Sequence, residues 1–210
     1  MTVYLIGGPP KCGKTTLAKI LSKSTSIPRI SADTLENIAR TYIDKANHKK
    51  AFPHGYVRGD SNDVFYTNHT SASIVEWYIQ QGKTSYKAIS MMAQTSIIDK
   101  DDYIIEGYQV TPEIVSKIIK KFWAEHIRTI FLVKNDEKKF VQDIHKSTTP
   151  NDRIIRKTKQ EETFHKIAKM IAKYSKYFEK EAKKYKLPVL EMDNNFEKQI
   201  KSAMNALVKK

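Results

Sequence analysis

Gly8-Pro9-Pro10-Lys11-Cys12-Gly13-Lys14-Thr15 follows the apolar run Val3-Tyr4-Leu5-Ile6 and precedes the helical pattern Thr16-Leu17-Ala18-Lys19-Ile20-Leu21. The octet satisfies G-x-x-x-x-G-K-[ST], a pattern in which a strand delivers a loop and a helix leaves it. That order aims successive backbone N–H groups and the positive end of a helix at one point, which suits a phosphate. Gly8 and Gly13 permit backbone angles and a close approach that a β-carbon would block. Lys14 can bridge β- and γ-phosphate oxygens, and the Thr15 hydroxyl can ligate Mg²⁺. The expected cradle is Gly8, Pro9, Pro10, Lys11, Cys12, Gly13, Lys14, Thr15 and Thr16, with ATP and Mg²⁺ as the expected cofactors.

The 210 residues fit one α/β domain with a large insertion or a small lid. The chain opens directly on the strand and loop, without a basic stretch and apolar core of a leader, and no later run approaches the roughly 18 apolar residues of a membrane span. The expectation is a cytoplasmic protein with no membrane partner, as a monomer or homodimer. The single cysteine, Cys12, forbids an internal disulfide. A helix N-terminus could lower its pKa, but no second thiol is present to resolve an oxidised form, so it reads as a small loop filler.

A net charge of +14 invites a nucleic-acid reading. The basic residues divide into 31 Lys and only 6 Arg, however, whereas base-reading surfaces favour Arg. Many C-terminal lysines also fall at helical spacing opposite Ile167, Ile171, Tyr174 and Phe178, the pattern of a solvated helix face. Nucleic acid is an alternative partner that composition does not favour.

Further strands are expected at residues 27–31, 102–107, 127–133 and 187–191. Helices are expected after Asp33, where Leu35, Ile38, Ala39 and Tyr42 set a helical period, and at about 111–124, 136–146, 160–185 and 195–208. This alternation implies a parallel sheet covered on both faces. Two regions exceed a minimal crossover. Residues 33–101 hold the stretch Phe52-Pro53-His54-Gly55-Tyr56-Val57-Arg58-Gly59-Asp60 and two helical segments, about 63–82 and 84–99, enough for an acceptor-binding insertion. Residues 147–160 start with the polar breaker Ser147-Thr148-Thr149-Pro150-Asn151-Asp152 and carry Arg153 and Arg156 at i and i+3, which reads as a lid.

With an acid after the second strand, an Ile-Ile-Glu-Gly third strand and paired arginines before the last, the chain resembles small P-loop kinases over nearly its whole length. The resemblance is to the nucleoside-monophosphate-kinase-like group, which includes shikimate, gluconate and adenylate kinases. It implies a five-stranded sheet in the order 2-3-1-4-5. The segment Ile104-Ile105-Glu106-Gly107-Tyr108-Gln109-Val110-Thr111-Pro112 is similar to the corresponding segment of 2-phosphoglycerate kinase-like proteins. Zeta toxins and chloramphenicol phosphotransferase are looser relatives.

Phosphoryl transfer needs a held acceptor, a metal on the β/γ oxygens and positive charge where negative charge develops. Lys14 and Thr15 serve the nucleotide and the metal. Asp33 occupies the place where related kinases keep an acid that takes the acceptor's proton, yet Asp33-Thr34-Leu35-Glu36 is also a helix-capping pattern. Glu106, at the carboxyl end of the third strand, is placed to hold the metal or, with Gly107, the acceptor. Asp99, Asp101 and Asp102 precede that strand in a turn-like run and read as solvated. Arg153 and Arg156 offer planar cations to a transferring phosphate, so the expected catalytic set is Lys14, Asp33, Arg153 and Arg156. Arg40 and Arg58 would suit an anionic acceptor, with His54, Tyr56 and Tyr66 beside them or in the insertion's own core. Asn194, Asn195 and Phe196 are the positional expectation for the nucleotide base.

The leading expectation is phosphoryl transfer from Mg·ATP to a hydroxyl of a small hydroxylated or phosphorylated metabolite, an anionic one being what Arg40 and Arg58 would suit. A nucleic-acid end kinase or a toxin-like nucleotide-sugar kinase would use the same chemistry together with the positive charge. A non-catalytic ATP-binding switch is the third reading, against which the intact Lys14 and Thr15 argue.

Overall fold

The computed structural model describes residues 1–122, 124–147 and 152–208. The apolar runs form β1 (Val3–Gly7), β2 (Arg29–Ser31), β3 (Tyr103–Glu106), β4 (Ile127–Val133) and β5 (Val189–Glu191). All five lie parallel in one sheet, in the order β2-β3-β1-β4-β5 that the resemblance implies. β1 is central, with Ile6 paired to Glu106 on one side and Gly7 to Phe131 on the other. Leu5, Ile105 and Phe131 are fully buried, which is why these strands read as continuous apolar runs rather than alternating ones. The parallel register brings the carboxyl ends of the strands to one edge, where the loops after β1, β2 and β3 meet.

The helices are α1 (Lys14–Thr25), α2 (Ala32–Thr41), α3 (His48–Ala51), α4 (Pro53–Val57), α5 (Asn62–Asn68), α6 (Ser71–Asp99), α7 (Pro112–Phe122), α8 (Glu137–His145), α9 (Arg153–Arg156), α10 (Glu161–Tyr185) and α11 (Phe196–Val208). α1 packs with α11, whereas α6, α7 and α10 pack with one another and α8 joins α10, so both faces of the sheet are covered. On α10, Ile167, Ile171, Tyr174 and Phe178 are buried while Lys169, Lys173, Lys176 and Lys180 are exposed. The lysine excess there is a solvated stripe opposite an apolar one. No helix among the described residues is long and apolar enough to cross a membrane.

The helical part of the insertion differs from the expectation. Instead of segments at 63–82 and 84–99, the short α5 ends at Asn68 and α6 runs unbroken through Gly82. The real boundary is at Thr70, whose hydroxyl caps α6 by accepting the N–H of Ser73 at 3.2 Å. Gly82 is where α6 passes the loop after β3, since a β-carbon there would lie 3.5 Å from Gln109 backbone atoms. Burial of Ile74, Tyr78, Ile89 and Ala93 on either side offsets the roughly 1 kcal/mol that a mid-helix glycine costs. Of the expected lid, residues 148–151 lie outside the described residues, and α9 with the segment to Gln160 is what is seen.

Candidate active site

The loop after β1 is shaped by its glycines. Gly8 has φ 134° and Gly13 φ 94°. A β-carbon on Gly8 would sit 2.0 Å from the Leu132 carbonyl oxygen, so no side chain fits there. Gly13 begins α1 with no side chain to cap it, the arrangement in which first-turn N–H groups can take an anion. Lys14 is buried and its ammonium donates to the Pro9 carbonyl at 2.6 Å. The Thr15 hydroxyl donates to Glu106 Oε1 at 3.0 Å. Burial raises the pKa of Glu106 above the usual carboxylate value, with Lys14 and the Thr15 hydroxyl opposing.

This donor set fits the cofactors that the fold implies. Mg²⁺ keeps water and phosphate oxygens and asks for only one or two protein groups, which the paired Thr15 and Glu106 could supply. No cluster of three or more acidic, His or Cys side chains suited to an all-protein metal cage occurs among the described residues. Cys12 is fully buried behind the loop, and burial pushes its thiol up to about 12 despite Lys14 and Lys134 nearby. The helix N-terminus does not activate it.

Two cavities flank the loop and share Lys11, Lys14 and Thr15 in their walls. The first, of about 650 Å³, is lined on its far side by Asp33, Arg58, Tyr66, Tyr78, Glu106 and Arg153. The second, of about 620 Å³, opens toward α8 and the loop after β5, where Lys134, Phe140, Asn195 and Phe196 form its wall. Asn195 and Phe196 stand where the base was expected, whereas Asn194 lines neither cavity.

Asp33 is exposed on the wall of the first cavity. It is not the cap of α2. Ser31 is, its side chain accepting the Asp33 N–H at 3.1 Å. The Asp33 carboxylate instead accepts from Gln109 Nε2 at 2.8 Å. Gly107 also lines this cavity, and a β-carbon on it would lie 2.7 Å from Ala32 Cβ. That close approach brings the end of β3 against the start of α2.

The arginines divide. Arg58 lines the first cavity with its guanidinium 4.6 Å from the Phe65 ring centre, and Arg153 lines the same cavity from α9. Arg40 does not reach either cavity: it pairs with Glu36 at 2.9 Å and lies over the Phe52 ring at 4.6 Å, so its role is to hold the insertion together. Arg156 lines neither cavity, although its neighbour on the single turn of α9, Arg153, lines the first. His54 and Tyr66 line the first cavity, but Tyr56 points to solvent. His54 stacks on Tyr78 with ring centres 4.0 Å apart. Burial, then Arg58, Arg153 and Arg40, lowers its pKa to about 3, so the ring is neutral at physiological pH.

Sequence reasoning missed the groups that hold this wall. Glu36 is buried and accepts from Gln81 Nε2 at 2.8 Å, Gln109 Nε2 at 3.0 Å and the Tyr108 hydroxyl at 3.2 Å, besides Arg40. Gln109 therefore bridges Glu36 to Asp33. The signal available was limited: Glu36 lies one helical turn from Asp33, and Tyr108-Gln109 follows directly on Glu106-Gly107. Asp152, which forms an ion pair with Lys11 of the phosphate loop, had no signal in its surroundings.

No protein-family model matches the chain, and no curated protein matches it in sequence. Solved structures do. A shikimate kinase from Bacteroides thetaiotaomicron aligns over 98% of this chain and 96% of its own, with a TM-score of 0.52 at 14% identity. An uncharacterized protein from Eubacterium ventriosum aligns over 100% of both chains, with a TM-score of 0.51 at 12% identity. A protein provisionally named a kinase, from Chloroflexus aurantiacus, aligns over 98% of both chains, with a TM-score of 0.51 at 12% identity. The likeness extends over the whole chain and establishes that it has the fold of the P-loop kinases.

Proposed function

We propose that the chain is a kinase that transfers a phosphoryl group from Mg·ATP to a hydroxyl of a small, anionic metabolite. The observation that carries this reading is that two cavities of similar size meet across Lys11, Lys14 and Thr15. In-line transfer needs a donor and an acceptor on opposite sides of one cationic loop, and that is the arrangement a two-cavity cleft offers. The second cavity suits the nucleoside, with Phe196 and Asn195 toward the base.

Lys14 gives up the Pro9 carbonyl for β- and γ-phosphate oxygens, and Arg153 stabilises the charge that develops at the transferring group. Asp33 takes the proton of the attacking hydroxyl, a role open to an exposed carboxylate oriented by Gln109. Thr15 and Glu106 would hold Mg²⁺, which supplies neutralisation of the phosphate oxygens when bound. Arg58 and Arg153 offer fork-shaped cations suited to a carboxylate or phosphate on the acceptor.

The reading is tested by ADP release. A pool of small hydroxy acids and sugar phosphates should raise the rate well above the acceptor-free value in the wild-type protein and not in Lys14→Ala. A rate indifferent to every such acceptor contradicts it.

A further inference from the structure

The segment from Gly59 to Asp63, which runs into the first turn of α5, belongs to the insertion, and the segment from Asp152 to Gln160 carries α9, yet the two are bonded along their length. Asn62 is fully buried. Its backbone N–H donates to the Lys157 carbonyl at 2.8 Å, and its side-chain amide donates to Thr158 Oγ1 at 2.8 Å and to the Arg153 carbonyl at 3.3 Å. The neighbouring Asp63 carboxylate accepts the N–H groups of Lys159 at 3.0 Å and Gln160 at 3.2 Å. In return the Arg153 guanidinium donates to the Gly59 carbonyl.

A helix of one turn does not stand by itself, because nucleation fixes several residues for very few hydrogen bonds. The place of α9 is therefore set from outside, and the buried Asn62 side chain hydrogen-bonds its backbone carbonyls at Arg153 and Ile154. On its other side Asp152 pairs with Lys11 and accepts the Ile154 N–H at 2.9 Å. We propose that Asn62 is a positioning residue: it sets Arg153 at the transfer cavity from the insertion, so that the acceptor wall and the lid arginine move as one body. The catalytic consequence rests on the kinase reading; the mechanical coupling does not.

The test uses the full chain as wild type, Asn62→Ala, Arg153→Ala, the double variant, and Asp63→Ala as a second way of cutting the tie. Hydrogen exchange over residues 152–160 should accelerate about tenfold or more in Asn62→Ala and at the Lys159 and Gln160 amides in Asp63→Ala, while β1 and β4, which report global folding, keep wild-type protection. With the metabolite pool and Mg·ATP, Asn62→Ala should lower kcat about tenfold with the KM for ATP unchanged, but less than about twofold when Arg153 is already alanine. Unchanged exchange over 152–160, or losses that multiply in the double variant, would overturn the proposal. If the wild-type protein transfers phosphate to nothing, the kinase reading fails and the exchange result alone decides the coupling.

Discussion

The Thr15 hydroxyl donates to Glu106 Oε1 at 3.0 Å, joining the start of α1 to the end of β3 at the wall of the first cavity. Burial raises the Glu106 pKa, so the native state holds this proton more tightly than the unfolded chain does. The stability linked to Glu106 is therefore present below the ordinary carboxylate pKa and falls as pH rises through the native value. Glu106→Gln should unfold at a higher temperature than wild type at neutral pH, with the gap closing at acid pH, while losing Mg²⁺-dependent turnover. A lower melting temperature at neutral pH would contradict this.

Asp33→Asn should lower transfer by about 10² to 10⁴-fold, the range for removing a positioned general base, with Mg·ATP affinity kept. Turnover measured beside equilibrium ATP binding checks it. Intact turnover would remove Asp33 from the chemistry.

Glu36→Ala deletes the acceptor shared by Arg40, Gln81, Tyr108 and Gln109 inside the protein. Leaving the half-buried Arg40 and the buried Gln81 and Gln109 amides without this acceptor costs about 1 to 3 kcal/mol, to be read as a lower urea midpoint. A change under about 1 kcal/mol would show that water replaces the carboxylate.

His54 has a native pKa of about 3 against 6.5 when unfolded. Because the lowered value belongs to a base, the unfolded chain binds the proton first, and stability is lost as pH falls from 6.5 toward 3, by up to roughly 1.4 kcal/mol per pH unit. Replacing His54 with Phe should flatten the fall of melting temperature between pH 6.5 and 4.5. An identical slope in both proteins would contradict a neutral buried imidazole.

Cys12 should resist iodoacetamide at pH 8 in the native protein and react once unfolded in urea, as intact mass would record, since burial pushes the thiol up to about 12. Native labelling within minutes would mean that the loop opens.

The sheet and the phosphate loop were legible because each depends on local pattern: apolar runs of strand length, and glycines at positions where a β-carbon would strike Leu132 or force an unfavourable φ. Asp33, Glu106 and Arg153 could be nominated because they follow strands or a breaker. What stayed hidden depends on contacts between distant segments. Arg40 looks like Arg58 in sequence, and only the buried carboxylate of Glu36 one turn earlier draws it away from the cavity. Ser31 takes the capping role that Asp33 could have filled. Gly82 resembles a helix break until the loop after β3 is seen against it.

The most direct measurement is transfer of labelled γ-phosphate from Mg·ATP into a mixture of small hydroxylated acids, beside single-stranded oligonucleotides, with Lys14→Ala as the control. The expected result is one labelled small molecule, identified by mass and absent with the variant. Label confined to oligonucleotides, or no labelled acceptor despite tight ATP binding, would contradict it.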